Sequence, residues 1–173
     1  MPDVAILDVG HGNCAVLVDN LGAVVIDAAS GPILLQFLSD CGLSEVDSVL
    51  ISHSDEDHLS GILALLTDPG FKVRKIYFNS EPLRDTEVFR DFLYALGESR
   101  KKLKTEVHTE LITTSTKDLD RGEVKIEILA PVPEIAGSGA GGRDLQRRAM
   151  NSNTMSVVIR VVRLGKGDGM MRK

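Results

Sequence analysis

The stretch Ile51-Ser52-His53-Ser54-Asp55-Glu56-Asp57-His58-Leu59-Ser60-Gly61 concentrates the reactive side chains of this chain. Five of the six residues from His53 to His58 are imidazoles or carboxylates, groups that ligate metals or exchange protons. Three consecutive carboxylates, Asp55, Glu56 and Asp57, repel one another unless a cation or solvent relieves them. Imidazole and carboxylate together suit Zn²⁺, Mn²⁺ or Fe²⁺. The plainer alternative is a solvated acidic turn with two incidental histidines. The spacing, and a position between an apolar strand and an apolar helix, favour a metal site.

The flanking pattern says what positions this stretch. Val46–Ser52 reads as a buried strand and Leu59–Thr67 as a helix stopped by Asp68-Pro69-Gly70. Upstream, Val4–Val9 and Cys14–Val18 read as a hairpin around Gly10-His11-Gly12-Asn13, with Ala23–Ile26 as a third antiparallel strand. Gly31-Pro32 opens a helix that Gly42 ends. Downstream come a strand at Val73–Phe78, a long amphipathic helix at Arg84–Lys104, and strands at Glu106–Ile112, Val124–Leu129 and Met155–Val162. Ala136–Arg148 reads as a Gly-rich polar loop. The order predicts a mixed α/β (α+β) fold, a sheet with helices packed on it.

Composition narrows the class. At 173 residues and 43% hydrophobic content, one domain with a real core is expected. No apolar run reaches the roughly 18–20 residues of a membrane span. Met1-Pro2-Asp3 lacks the basic start of a signal peptide, so a cytoplasmic location is expected. Cys14 and Cys41 have no metal-ligand spacing and read as buried thiols. Residues 1–138 hold 12 Lys+Arg against 23 Asp+Glu, whereas residues 139–173 hold 8 against 2. Those eight basic residues are dispersed, which is not the cluster that marks a polyanion-binding face.

At the metal-site stretch the sequence resembles the metallo-β-lactamase superfamily, whose motif His-x-(His/Asp)-x-Asp-His follows a strand and precedes a helix. His53, Asp55, Asp57 and His58 fill its four slots. Asp in the second slot resembles the DNA-uptake competence-protein (ComEC) branch. Leu7–Asn13 (LDVGHGN) resembles that branch's opening LDVGQGD, with His11 for Gln and Asn13 for Asp. Val25-Ile26-Asp27 resembles its strand ending in Asp, and Asn151–Arg160 its N-x-N-S-LVLR strand, with drift at Thr154-Met155.

The resemblance implies an αββα sandwich with a dinuclear Zn²⁺ or Mn²⁺ site along one sheet edge. His53 and Asp55 would face one metal, and Asp57 and His58 the second. It implies a metallo-hydrolase in which a hydroxide between the metals attacks a phosphoryl or acyl centre, with Asp57 as the catalytic residue that orients it. Hydrolysis of phosphodiesters in nucleic acid or nucleotides is the first expectation. A small-molecule acyl or thioester hydrolase and a non-catalytic partner-binding module are the alternatives. Asp8 and Asp27 are expected to brace loops at the site, and Asn151 and Asn153 to hydrogen-bond the motif loop. His11 reads as a turn histidine with a local hydrogen bond or as a substrate contact.

The departure is in the ligand count. The family's bridging Asp and later His have no counterpart here, and Asp168, in a Gly-rich run, comes too early to replace them. The expectation is therefore a single domain over residues 1–173 that is the N-terminal portion of the sandwich, or else a degenerate member. An incomplete sandwich would expose apolar faces of Val124–Leu129 and Met155–Val162, and self-association through unpaired strands is expected with it.

Overall fold

The structure, a computed structural model, describes residues 1–81, 84–114, 119–144 and 146–164. Strands β1 (Asp3–Ile6), β2 (Ala15–Asp19) and β3 (Gly22–Ile26) form an antiparallel meander, with Ile6 opposite Ala15 and Asp19 opposite Gly22. Three parallel strands extend it: β4 (Glu45–Leu50), β5 (Lys72–Tyr77) and β6 (Glu106–His108), giving one six-stranded sheet in sequential order. Helices α1 (Ile33–Asp40), α2 (Glu56–Thr67) and α3 (Glu87–Leu103) make the connections that parallel strands require. A second sheet pairs β7 (Val124–Ala130) with β8 (Val158–Arg163) antiparallel, and the short helix α4 (Pro133–Ser138) lies between them in the chain.

Strand alternation sorts the core into two layers. Val16 and Val25 pack with Leu34 and Leu38 of α1, Leu59, Ile62 and Leu65 of α2, and Phe89, Phe92 and Leu96 of α3. Their neighbours Leu17 and Val24 point the other way, onto Val124, Ile126 and Ile128 of β7. The result is a helix layer, a central sheet and a second sheet, the mixed α/β architecture expected from the sequence. Arg121 clasps the two sheets at one end: it pairs with Asp19 at 2.9 Å and with Asp47, and its own side chain is 8% exposed.

Four expectations need correction. The inner face of β7 is not exposed, because Val124, Ile126 and Ile128 are covered by the central sheet. On β8, Val158 is half exposed while Ile159 and Val161 pack against that second core. The strand expected from Met155 begins at Val158, since Asn153–Met155 close into a 3₁₀ turn. The strand from Glu106 ends at His108, after which Leu111 and Ile112 enter the core from a loop. Cys14 is buried as expected, but Cys41 is exposed at the C-terminal cap of α1. Asp168 lies outside the described residues.

Candidate metal centre

β4 delivers the motif to the C-terminal edge of the parallel strands, where ligand sites of such sheets gather. The backbone leaves the strand through Ile51, whose N–H donates to Tyr77, and enters α2 at Glu56. The motif is thus split between loop and helix: His53 and Asp55 precede α2, and Asp57 and His58 sit in its first turn. The helix N-terminus carries partial positive charge, which favours the ionised carboxylates of Glu56 and Asp57 there. His53 and His58 meet, with ring centroids 3.9 Å apart.

Two glycines permit this approach. A Cβ at Gly12 would lie 2.2 Å from the Asp57 carbonyl oxygen, and its φ of +99° suits only glycine. A Cβ at Gly61 would lie 2.5 Å from the Ala29 carbonyl oxygen. The Gly10–Asn13 turn and the segment after β3 therefore press directly on α2.

Asp27 is the hub beneath the histidines. It is buried, with a φ of +56°, a conformation that Asp tolerates better than most residues. Its carboxylate accepts from the Ser52 N–H at 2.7 Å, from the Ser52 hydroxyl at 2.8 Å and from Asn13 Nδ2 at 3.2 Å. It also meets His58 Nδ1 at 2.9 Å. A carboxylate can only accept, so His58 Nδ1 carries a proton, and in the neutral ring Nε2 keeps its lone pair. The single Ser52 proton goes to Asp27, so toward His53 Nδ1, 3.0 Å away, the Ser52 oxygen accepts. Ser156 Oγ adds a contact to His53 Nδ1 at 3.3 Å. In the neutral rings one buried carboxylate thus leaves both Nε2 atoms bare, His58 directly and His53 through Ser52.

The bare nitrogens face carboxylates. His53 Nε2 lies 3.5 Å from Asp55 Oδ2, and His58 Nε2 lies 3.6 Å from Asp57 Oδ2. The exposed His11 approaches the same Asp57 oxygen at 3.5 Å. These separations are too long for hydrogen bonds. They match the roughly 3.4 Å between two donors sharing one tetrahedral cation with bonds of about 2.0–2.1 Å. A lone pair facing a carboxylate is repelled until a proton or a metal cation lies between them. The donors therefore fit a divalent ion in type and pair spacing. They do not fit in number: among the described residues, no group of three or more His, Cys, Asp or Glu side chains closes around one point.

The two imidazoles are tuned in opposite directions. Burial, reinforced by the neighbouring His58, lowers the His53 pKa from its ordinary value. Burial also opposes charge on His58, but the hydrogen bond and the negative charge of Asp27 outweigh it and raise the pKa.

Other expected site residues fall elsewhere. Asp8 is exposed and accepts from the Gly10 N–H in its own turn. Asn151 is exposed and bonds Thr154 within its own turn, and Asn153 is likewise exposed. The expected contact from asparagine to the motif loop is thus not made. The serines beside them reach inward instead: Ser156 touches His53, and the buried Ser152 donates to Glu81 at 2.9 Å. Glu81 in turn accepts from the Ser54 N–H at 3.0 Å. Arg84 donates to Ser152 at 2.8 Å and pairs with Asp55 at 2.6 Å. Ser52, Glu81, Arg84, Ser152 and Ser156 escaped the sequence reading. Only Ser52 carried a signal, its place beside His53 at the end of a strand.

The family model for the metallo-beta-lactamase superfamily matches residues 7–164. No curated protein matches the chain. Among solved structures, the metallo-beta-lactamase fold protein YhfI from Bacillus subtilis is 14% identical with a TM-score of 0.46, over 94% of this chain and 58% of its own. The short form of human tRNase Z is 14% identical with a TM-score of 0.46, over 94% of this chain and 65% of its own. A diphosphatase of the PhnP family is 16% identical with a TM-score of 0.40, over 67% of this chain and 42% of its own. The chain thus spans 42–65% of the length of these three proteins.

Proposed function

The chain belongs to the metallo-beta-lactamase superfamily, and we propose that it forms the metal-binding part of a hydrolase that cleaves phosphodiesters of nucleic acid or nucleotides. The observation that carries this reading is the pair of bare imidazole nitrogens facing Asp55 and Asp57 at 3.5 and 3.6 Å. His58 and Asp57 would hold one divalent ion, Zn²⁺ or Mn²⁺, with His11 within reach of the same carboxylate. His53 and Asp55 would hold a second. An ion bound there supplies a lowered pKa for water and a positive charge for the developing oxyanion.

The chain's own residues do the rest. Asp27 fixes both imidazole tautomers and keeps Nε2 available on each. Asp57, whose Oδ2 lies 3.5 Å from His11 Nε2 and 3.6 Å from His58 Nε2, is placed to hold a proton or orient a water there. Asp55 in the second slot favours the competence-protein-like branch over the acyl and thioester hydrolases.

The test is a phosphodiesterase assay with Mn²⁺ and Zn²⁺ titration on a form that includes any chain beyond Lys173, comparing wild type with Asp57→Asn. Metal-dependent cleavage that Asp57→Asn nearly abolishes supports the reading. Equal activity in the two, or activity that a chelator leaves intact, overturns it. A non-catalytic module is favoured instead by the open ligand count, and metal binding without turnover would select it.

A further inference from the structure

We propose that the solvent face of α3 is a self-complementary surface on which a second copy of this chain docks, its α3 antiparallel to the first and the two Tyr94 rings meeting at the two-fold axis. Phe89, Phe92, Ala95, Leu96 and Ser99 form the buried stripe of this helix. Opposite that stripe, at helical spacing, stand Glu87, Arg90, Tyr94, Glu98 and Lys101. Tyr94 is 74% exposed and sits midway along the face. It also walls a groove of about 800 Å³ between α2 and α3, which Leu63, Leu66, Phe71 and Ala95 line with it. An aromatic ring left in solvent beside an apolar groove is the kind of residue that anchors interfaces.

The charges select the occupant. Glu87 lies seven residues before Tyr94 and Lys101 seven after it, while Arg90 lies four before and Glu98 four after. Reversing the helix about Tyr94 therefore sets Glu87 against the second copy's Lys101, and Arg90 against its Glu98. Across a closed two-fold interface each contact occurs twice, so all four charges of the face meet opposite charges. A parallel arrangement would set Glu87 against Glu87 and Lys101 against Lys101, which repel. A charge pattern that inverts about its own exposed aromatic fits a copy of itself. Gly97, one turn from Tyr94, has open space where a Cβ would stand, which leaves room for the second ring.

Within one chain these charges are free to exchange partners. Arg90 pairs with Asp85, and Glu98 with Lys101 and Lys102 at 3.2 and 3.0 Å, all at the surface. Exposed pairs of this kind contribute little, so trading them for pairs across an interface costs little. Glu98 keeps Lys102 when Lys101 turns to the second copy's Glu87. The Tyr94 rings then supply apolar contact, and the charges supply orientation and register. One helix pair is a small interface, and a dissociation constant on the order of 10 µM is expected. This inference stands apart from the metal-site reading and needs no ion.

The experiment is sedimentation equilibrium of the purified chain at low salt, over roughly 1–500 µM to bracket that constant. Wild type, Tyr94→Ala, Glu87→Lys, Lys101→Glu and the double reversal E87K/K101E are compared, each checked by circular dichroism for the wild-type fold. The account expects a wild-type dimer that weakens with added salt. Tyr94→Ala weakens it about thirtyfold, the loss typical of a central aromatic anchor. Each single reversal sets like charges across the interface twice and weakens it about tenfold. The double reversal restores association to near the wild-type level. It also keeps both unfavourable charges at the ends of α3, so its recovery cannot come from a more stable helix. A monomer throughout the concentration range overturns the proposal. A dimer that none of these variants weakens runs through another face, such as the free edges of β1 and β8, and overturns it equally. Single reversals that weaken the dimer without recovery in the double variant overturn the antiparallel register.

Discussion

The Asp27 carboxylate and the His58 imidazole meet at 2.9 Å beneath the motif, and the same carboxylate takes the proton of Ser52, the neighbour of His53. A residue 26 positions before the first motif histidine therefore sets the tautomer of both rings.

Asp27→Asn should disturb both histidines together. An amide presents one acceptor and one donor where the carboxylate presents two acceptors, so at least one of its four recorded contacts is lost. Partners of this kind are worth about 10–100-fold in metal affinity. Calorimetric titration with Zn²⁺ should show a loss of that order, and an unchanged affinity would remove Asp27 from the site.

Gly12→Ala and Gly10→Ala form a contrasting pair. Both glycines have positive φ, but only at Gly12 does a Cβ meet backbone, the Asp57 carbonyl at 2.2 Å. At Gly10 there is open space. The expected cost at Gly10 is about 1–2 kcal/mol for the left-handed conformation alone. At Gly12 a further 1–3 kcal/mol or so of overpacking is added. Urea unfolding of the two variants measures the difference, and equal losses would mean that the turn does not press on α2.

Arg121 joins Asp19 and Asp47 in the crevice between the sheets, at 8% side-chain exposure. Removing it leaves the partly buried Asp19 and Asp47 carboxylates without their shared cation, which lowers stability. Arg121→Ala should lower the urea midpoint accordingly. Arg121, through its hydrogen bond, holds the Asp19 pKa below the ordinary 3.8. A carboxyl depressed in the folded state contributes stability that is complete above 3.8 and lost as the pH falls below it. Acid unfolding should therefore flatten in Asp19→Asn between pH 3.8 and lower values; a profile that keeps its wild-type slope there would assign the acid sensitivity to other groups.

The thiols should differ sharply. Burial, with the Asp27 charge behind it, pushes the Cys14 pKa up to about 12, whereas Cys41 is exposed. At neutral pH a thiol reagent should label Cys41 in the native protein and Cys14 only after unfolding. Rapid labelling of both would show that the β1–β2 region opens readily.

Local signals made much of this legible in the sequence. The hairpin around Gly10-His11-Gly12-Asn13, the strand before His53 and the helix after it follow from periodicity and turn residues, and each has its counterpart in β1–β2, β4 and α2. The motif residues come together because a short connection has little room to separate them. What the sequence hid is tertiary. Nothing local says that Val124, Ile126 and Ile128 find the back of the central sheet, so their covering was missed. Asn151 and Asn153 looked like the functional pair because amide side chains hydrogen-bond well, yet the turn they build turns Ser152 and Ser156 inward and leaves them in solvent. Arg84 and Glu81 are 29 and 26 residues past Asp55, on a connection whose chemistry appears only once β5 and α3 are in place. Cys41 misled because a free thiol is more often buried than exposed, but it ends a helix on the solvent side.

The central claim is that the bare Nε2 atoms and their facing carboxylates form a cation site. Crystals soaked in Mn²⁺ and measured for anomalous scattering test it most directly. The account predicts a peak between His58 Nε2 and Asp57 Oδ2, which lie 3.6 Å apart. Mn²⁺ bound elsewhere on the chain, with both histidines unchanged and no peak at this pair, would contradict it.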